Sequence, residues 1–280
     1  MQQAILTLFT QSPLHVGAGA SVGIVDLTVT RERHSGYPLI PGSSLKGVLA
    51  DLWSNDCDQQ GKRCSDSDAE LLFGKDNDPK NARAGKLLIG EGKLLAFPVR
   101  SAKKAFAWIT CPLALARLAR DRRLSLDLPD LSEEQILAPE SLALDGNVVL
   151  EEYYLQRTDA VAEPILAACR DLSQDSLWQQ EMPGHLAVVA NEIFAYFVQN
   201  ACEIAQHIKI DSGTVKNGAL FNQENVPSEC LFYSVLHAPQ ADLFAKLSTK
   251  LQENDCVLQI GADATTGLGW CTASLNQNNA

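Results

Sequence analysis

The chain has 280 residues, 46% of them apolar, and carries a formal net charge of −11. That is enough apolar material for a sizeable core. No apolar run approaches the length of a membrane span: "HLAVVANEIFAYFVQN" is broken by Asn191 and Glu192. The opening residues carry no basic leader and no small-residue cleavage site, so a cytoplasmic protein with no membrane partner is expected.

Eight cysteines are present, with no CxxC pair; Cys57 and Cys64 flank "DQQGKR", a poor spacing for zinc. They are expected to be reduced and to serve mostly as small core residues. The negative charge is segregated. Residues 124–192 hold fourteen acids against Arg157 and Arg170, a net of −12, which leaves the rest of the chain at +1. Within that remainder, "RSAKKAFAWITCPLALARLARDRR" (100–123) has seven bases and one acid. Such a run is either a solvated helix face or a surface for a polyanion.

In chain order, "AILTLFT" (4–10) reads as a strand. "PGSSLKGVLADLW" (41–53) reads as a helix that Ser43 or Ser44 can cap, with Leu45, Val48, Leu49 and Leu52 at helical spacing. The polar stretch after it, to about residue 85, reads as a surface loop. "GKLLIGEGKLLAFPVR" reads as two strands around Gly90–Gly92. "PLALARLARDRR" is a helix led by Pro112, residues 124–152 are acidic and punctuated by proline, and a second apolar helix is expected over about 185–200. "HIKIDSGTVKNGALFNQENVP" (207–227) reads as an arm or hairpin, with turn signals at Gly213 and at Asn217–Gly218.

The plan of the first hundred residues then repeats. "ECLFYSVLHA" (229–238) is strand-like, and "PQADLFAKLSTKLQE" (239–253) is a helix with a stripe of Leu243, Leu247 and Leu251. "CVLQIGA" and "GWCTASL" are strands, and the last residues, "NQNNA", are expected to fray. The fold class that follows is α+β: an RRM-like or ferredoxin-like sheet from two βαββ halves, interrupted by a large helical insertion and a hairpin-like arm. The expected divisions are 1–99 with 228–280, 100–206, and 207–227.

Three stretches carry chemistry. "IGADATTGLGW" (260–270) lacks the GK[ST] ending of a triphosphate loop; Gly267 and Gly269 either let backbone N–H groups meet a phosphodiester or make a tight turn. "PGSSLKG" sets Ser43, Ser44 and Lys46 at a helix start, where free N–H groups and the dipole favour an anion. "HVGAGASVGIVDLTVTRERH" (15–34) has one carboxylate, Asp26, in a β-leaning run. From the residues alone, Asp26 is a loop acid paired with Arg31 or Arg33, or the acid of an active site. His15 is a base candidate by its ordinary pKa near neutrality, or a strand-end histidine.

"LHVGAG…VD…RERH…PLIPGSSLKGVLA", "LLFG", "LLAFPVRSAKKAFAWITCPLALARL", "VKNGALFNQENVP" and "IGADATTGLGW", in that order, resemble the RAMP superfamily, and within it the backbone subunits of type III-B CRISPR effectors. The resemblance runs through nearly the whole chain. It implies an RRM-like palm and a protruding thumb, copies that line up along a CRISPR guide RNA beside other effector subunits, and cleavage of the paired target RNA at regular intervals with a divalent ion, Mg or Mn. By the same resemblance Asp26 matches the key acid and would hold the metal. His15 and Lys46 match positions near RNA, and Glu224 an acidic site of the thumb. Family members often have two adjacent acids there, where this chain has Gln223 then Glu224. Arg31, Arg33, Ser43, Ser44, Lys46, Arg100, Lys103, Lys104, Gly267 and Gly269 are the RNA-contact candidates. Two other readings remain: a guide-binding scaffold that does not cut, and a metal-independent endonuclease that processes the guide.

Overall fold

A computed structural model describes residues 1–20, 23–58, 61–75, 82–211 and 214–277. The strand Gln2–Thr10 forms the middle of the palm, with antiparallel neighbours Leu231–Ala238 on one side and Trp270–Gln277 on the other. Leu231–Ala238 pairs in turn with Gly92–Arg100. The helix Gly42–Asp51 joins the first strand to Gly92–Arg100, and the helix Asp242–Glu253 joins Leu231–Ala238 to the last strand. This strand order, with two helical crossovers, is the ferredoxin-like arrangement expected from the two half-repeats. The expected stripes are the buried ones: Leu45 and Leu49 on one helix, Leu243, Leu247 and Leu251 on the other.

Strand alternation divides the first strand between two cores. Thr7 donates its hydroxyl to the Leu172 carbonyl, and Phe9 packs on Trp108 and Trp178 with ring centroids 6.1 and 5.7 Å away. Opposite Thr7, Tyr233 reaches Asp121. This face is therefore covered by residues of the insertion. Ala4, Leu6 and Leu8 alternate to the other face and are fully buried.

The insertion is not purely helical, contrary to expectation. It holds the strands Phe106–Thr110, Gln135–Leu137, Asn147–Leu150, Tyr153–Asp159 and Leu186–Val189, which continue the palm sheet. Gly92–Arg100 is the joint: Lys93, Leu94 and Ala96 pair with the palm, and Phe97 to Arg100 pair with Phe106–Thr110. The helix expected over 185–200 begins only at Asn191, because Leu186–Val189 is a strand buried on both faces. The helix at Pro112 runs as expected to Arg122, with proline in its first turn. The polar stretch after residue 53 is also more than a loop. Its helix Asp68–Phe73 buries Ala69, Leu72 and Phe73, and Phe73 packs edge-on against Trp53.

The arm is a hairpin of Glu203–Asp211 and Thr214–Asn225, four residues earlier in its start than the sequence suggested. Gly213 lies outside the described residues, as do the last three of "NQNNA". Asn217–Gly218 makes no hairpin turn; it falls within the second strand, where the register shifts. The hairpin extends into a small sheet with Leu27–Val29 and Gly17–Ala20, so the arm grows from the segment that carries Asp26.

Candidate active site

Asp26 lies immediately before the strand Leu27–Val29, whose Leu27 pairs in parallel with Gln223 of the arm. That register brings the acid beside the arm backbone: its Oδ2 accepts a hydrogen bond from the Asn222 N–H at 2.8 Å. The side chain is exposed, and among the described residues it forms no ion pair. The pairing with Arg31 or Arg33 is thereby corrected. Arg31 is taken by another acid, and Arg33 points to solvent.

That other acid is Glu224. Its Oε2 accepts from the Val29 N–H at 3.0 Å and its Oε1 from Arg31 Nη2 at 2.5 Å. Its backbone carbonyl accepts from His15 Nδ1 at 2.7 Å, which requires the proton on Nδ1. Glu224 is 7% exposed and His15 4% exposed. Both therefore tie the arm to the chain's first ninety residues, and neither hydrogen-bonds Asp26 among the described residues. The His15 ring also lies against Gly17, where an added Cβ would come within 2.9 Å of Nε2.

Arg31 is equally committed. Nη1 donates to the carbonyls of Gly36 and Val198 at 2.8 and 2.7 Å, and Nη2 also reaches the Cys202 sulfur at 3.4 Å. Burial pushes the Cys202 thiol up to about 12, so it remains protonated beside the guanidinium. The expected phosphate contact at Arg31 is thus replaced by an internal hub. His34 sits on Arg117 at 3.0 Å, and Arg117 forms a buried pair with Glu32.

The glycine-rich loop closes under the same site. Gln223 donates its amide to Asp263 Oδ2 at 2.7 Å, and Ala262 donates its N–H to the His15 carbonyl at 2.9 Å. Gly267 and Gly269 both have positive φ, +87° and +80°. Their N–H groups donate to Ala264 and Pro13 carbonyls, so the loop is a tight turn and these two amides do not point to a ligand.

Neither Ser43 nor Ser44 caps the first helix. The helix starts at Gly42 after Pro41, which has no side chain able to accept, and the serines fall in its first turn. Gly42, Ser43 and Ser44 supply the first N–H groups of the helix, which have no intrahelical carbonyl to meet. Exposed Ser43 and Lys46 stand beside them, an arrangement that suits an anion.

Part of the basic run is committed to carbonyls of the protein itself, although Arg100, Lys103, Arg120 and Arg123 stay exposed. Lys103 reaches the carbonyls of Glu140 and Ala143, Lys104 that of Gly184, and Arg122 that of Ala168. Arg100 pairs with Glu151 at 3.2 Å but keeps 82% of its side chain exposed. The charge count alone gave no sign that the carbonyls of the acidic insert would take up these cationic groups. Asn222 and Asp263 were not singled out from sequence. Their contribution is a backbone N–H and a single inter-loop hydrogen bond, neither of which leaves a pattern in the chain.

The palm is ferredoxin-like, and the segment carrying Asp26 joins the hairpin arm in one small sheet beside that exposed carboxylate. Residues 7–272 match the RAMP superfamily, and the chain belongs to it. Within it, the CRISPR system Cmr endoribonuclease Cmr4 of Pyrococcus furiosus is 32% identical over 294 aligned positions, covering 99% of this chain and 97% of the relative; the chain is a member of that family. The crystal structure of oligomeric Cmr4 from Pyrococcus furiosus superposes with a TM-score of 0.74 at 26% identity, covering 100% of both chains. A chain of the type III-B Cmr-beta complex bound to cognate target RNA gives a TM-score of 0.75 at 20% identity, over 98% of this chain and 97% of that one, a likeness of fold.

Proposed function

We propose that this chain is a backbone subunit of a cytoplasmic type III-B CRISPR effector. Copies line up along guide RNA together with other subunits, and each cuts the paired target RNA, with Asp26 as the acid at the cut. The relatives support this: one is named as an endoribonuclease, one crystallised as an oligomer, and one complex was captured with target RNA. No helix among the described residues is long and apolar enough to cross a membrane. The observation that carries the assignment is Asp26 itself: exposed, without an ion pair among the described residues, and held by Asn222 at the foot of the arm.

Scission by the adjacent 2′-hydroxyl needs that oxygen in line with its phosphorus, a proton removed from it, and charge stabilised on the phosphate. The arm and the Asp26 strand form one small sheet, so a nucleotide displaced by the arm meets the carboxylate at a fixed offset. Such positioning is worth several kcal/mol, on the order of 7 or more at best. The Asn222 N–H fixes one carboxylate oxygen and thereby the direction of the other. Among the described residues no three His, Cys, Asp or Glu side chains gather as a metal cage. A lone carboxylate fits a hard ion only in the mode where phosphate and water oxygens complete the shell. Bound there by Asp26, the ion would stabilise phosphate charge and lower the pKa of a water.

The test is target cleavage by the assembled complex under single-turnover conditions. Asp26→Asn is expected to leave assembly and target binding unchanged and to slow cutting by about 10²–10⁴-fold, the range of a lost acid–base or charge-stabilising group. EDTA is expected to stop the wild type. Cleavage by Asp26→Asn at the wild-type rate would remove Asp26 from the chemistry. EDTA-resistant cutting of the guide precursor would favour the guide-processing reading, and no cutting by the wild type the scaffold.

A further inference from the structure

We infer that Arg31 and Glu224 form a positioning clamp: one ion pair fastens both roots of the arm to the strand that presents Asp26. The inference rests on Asp26 being the acid of the proposed function. It assigns Arg31 and Glu224 a role apart from phosphate contact or acid chemistry.

The argument is one of connectivity. The hairpin leaves the core at Cys202–Glu203 and returns at Glu224–Asn225. Arg31 touches both ends, through the Cys202 sulfur and the Glu224 carboxylate, and holds the Val198 carbonyl in the last turn of the helix that leads into the arm. Glu224 passes the restraint on: its other carboxylate oxygen takes the Val29 N–H, three residues after Asp26. At the near end of the same strand, Asp26 is fixed by the arm's Asn222. The short strand Leu27–Val29 is therefore pinned to the arm at both ends, by Glu224 and by Asp26, with the Leu27–Gln223 pairing between them.

Burial explains why a charged pair does this. The side chains are 20% and 9% exposed, so water competes poorly for them, and a planar guanidinium offers several donors in fixed directions. Lysine also has three N–H donors, but all on one nitrogen; Arg31 reaches the Gly36 and Val198 carbonyls from Nη1 and Glu224 from Nη2, two positions that a single ammonium cannot occupy at once. Glutamine at 224 keeps the length and one acceptor oxygen but loses the charge. Each substitution thus loosens the clamp without emptying the space.

Arg31→Lys, Glu224→Gln and the double variant are compared with Asp26→Asn in single-turnover cleavage by the assembled complex, and hydrogen exchange of the Asn222 amide is measured on each free chain. The clamp predicts that both single variants bind target normally, cut about ten- to hundredfold more slowly, and expose the Asn222 amide to faster exchange. It also predicts that the double variant is no slower than the worse single one, because both remove the same link. A Glu224→Gln variant as slow as Asp26→Asn, beside an Arg31→Lys variant at wild-type rate, would make Glu224 an acid of the reaction and overturn the clamp. Wild-type cutting by both, with Asp26→Asn dead, would also overturn it while leaving the proposed function intact. If Asp26→Asn itself cuts normally, the proposed function fails, and the exchange measurement alone decides whether the clamp exists. The same measurement decides for any variant that does not assemble, and unchanged Asn222 exchange refutes it.

Discussion

Replacing Glu229 by glutamine is expected to stabilise the protein above pH 7 and to change little near pH 5. Glu229 lies where the chain enters the strand Leu231–Ala238, with φ +66°. Its N–H donates to the Thr10 carbonyl at 2.7 Å, and its own carbonyl accepts from Trp108 Nε1 at 2.7 Å. The carboxyl oxygen Oε2 is buried and has no hydrogen-bond partner among the described residues. Burial, and then the nearby Asp175 carboxylate, push its pKa up to about 7. The folded chain therefore keeps a proton that the unfolded chain releases near pH 4.3. Stability falls as pH rises through that interval, and the penalty is complete above about 7. A gap of this size corresponds to about 4 kcal/mol at most. Glu229 is only partly buried, so screening reduces it to about 1–2 kcal/mol. Glutamine has the same length and the same cost at positive φ but nothing to ionise. Urea unfolding of both chains at pH 5 and pH 8 measures the effect, and groups common to both cancel in the difference. An equal difference at the two pH values, or a variant less stable than wild type at pH 8, would refute the reasoning.

Asp121 should show the opposite pH sign. Burial pushes its carboxyl up, but Lys93, Arg120 and Tyr233 together hold it below its ordinary value. Its contribution is therefore present above about pH 4 and lost as pH falls through the lower, folded pKa. Asp121→Asn should cost about 2–3 kcal/mol at pH 7, and the gap to wild type should narrow in urea titrations near pH 3; a gap that does not narrow would remove the ionic explanation. Gly269→Ala should be far worse than Gly267→Ala. Both positions have positive φ, costing about 1–2 kcal/mol for alanine, but at Gly269 the new Cβ would collide with the Ile260 carbonyl oxygen, whereas at Gly267 it would meet nothing within 4 Å among the described residues. Equal melting temperatures for the two variants would show that φ alone governs the loop.

The palm was legible because its elements are amphipathic. Leu243, Leu247 and Leu251 recur at helical spacing and are buried as that spacing requires. The insertion's strands were not, because a strand covered on both faces has no alternation to read. "LAVV" at 186–189 is wholly buried and runs straight into the helix at Asn191, so the two read as one apolar segment. Asp26 stood out as a lone carboxylate in a β-leaning run. What fixes it did not, because Asn222 acts through its backbone and lies 196 residues away. Arg31 and Glu224, 193 residues apart, each read as a candidate ligand contact until the fold joined them. The serines of "PGSSLKG" read as caps, but Pro41, with φ −56° and ψ 140°, already sits at the cap position and moves them inside the helix.

The covered sheet face bears on how RNA is held under the proposed function. RRM-type sheets bind single strands by stacking bases on aromatic side chains of the open face. Here that face is shut. Thr7 is tied to Leu172, Phe9 lies under Trp108 and Trp178, and Tyr233 is hydrogen-bonded to Asp121. Stacking on the palm is therefore closed off, and the remaining contacts lie at its rim: the N–H groups at the start of Gly42–Asp51 with Ser43 and Lys46, the exposed Arg33, and the sheet shared by the arm and Asp26. Apart from the arm, these are groups suited to phosphate, and phosphate contacts carry no sequence information. A subunit built this way can bind any guide, and the choice of target falls to base pairing. Under the proposed function the reaction would likewise sit beside the arm, because exposed Asp26 directly precedes the strand that pairs with the arm at Gln223.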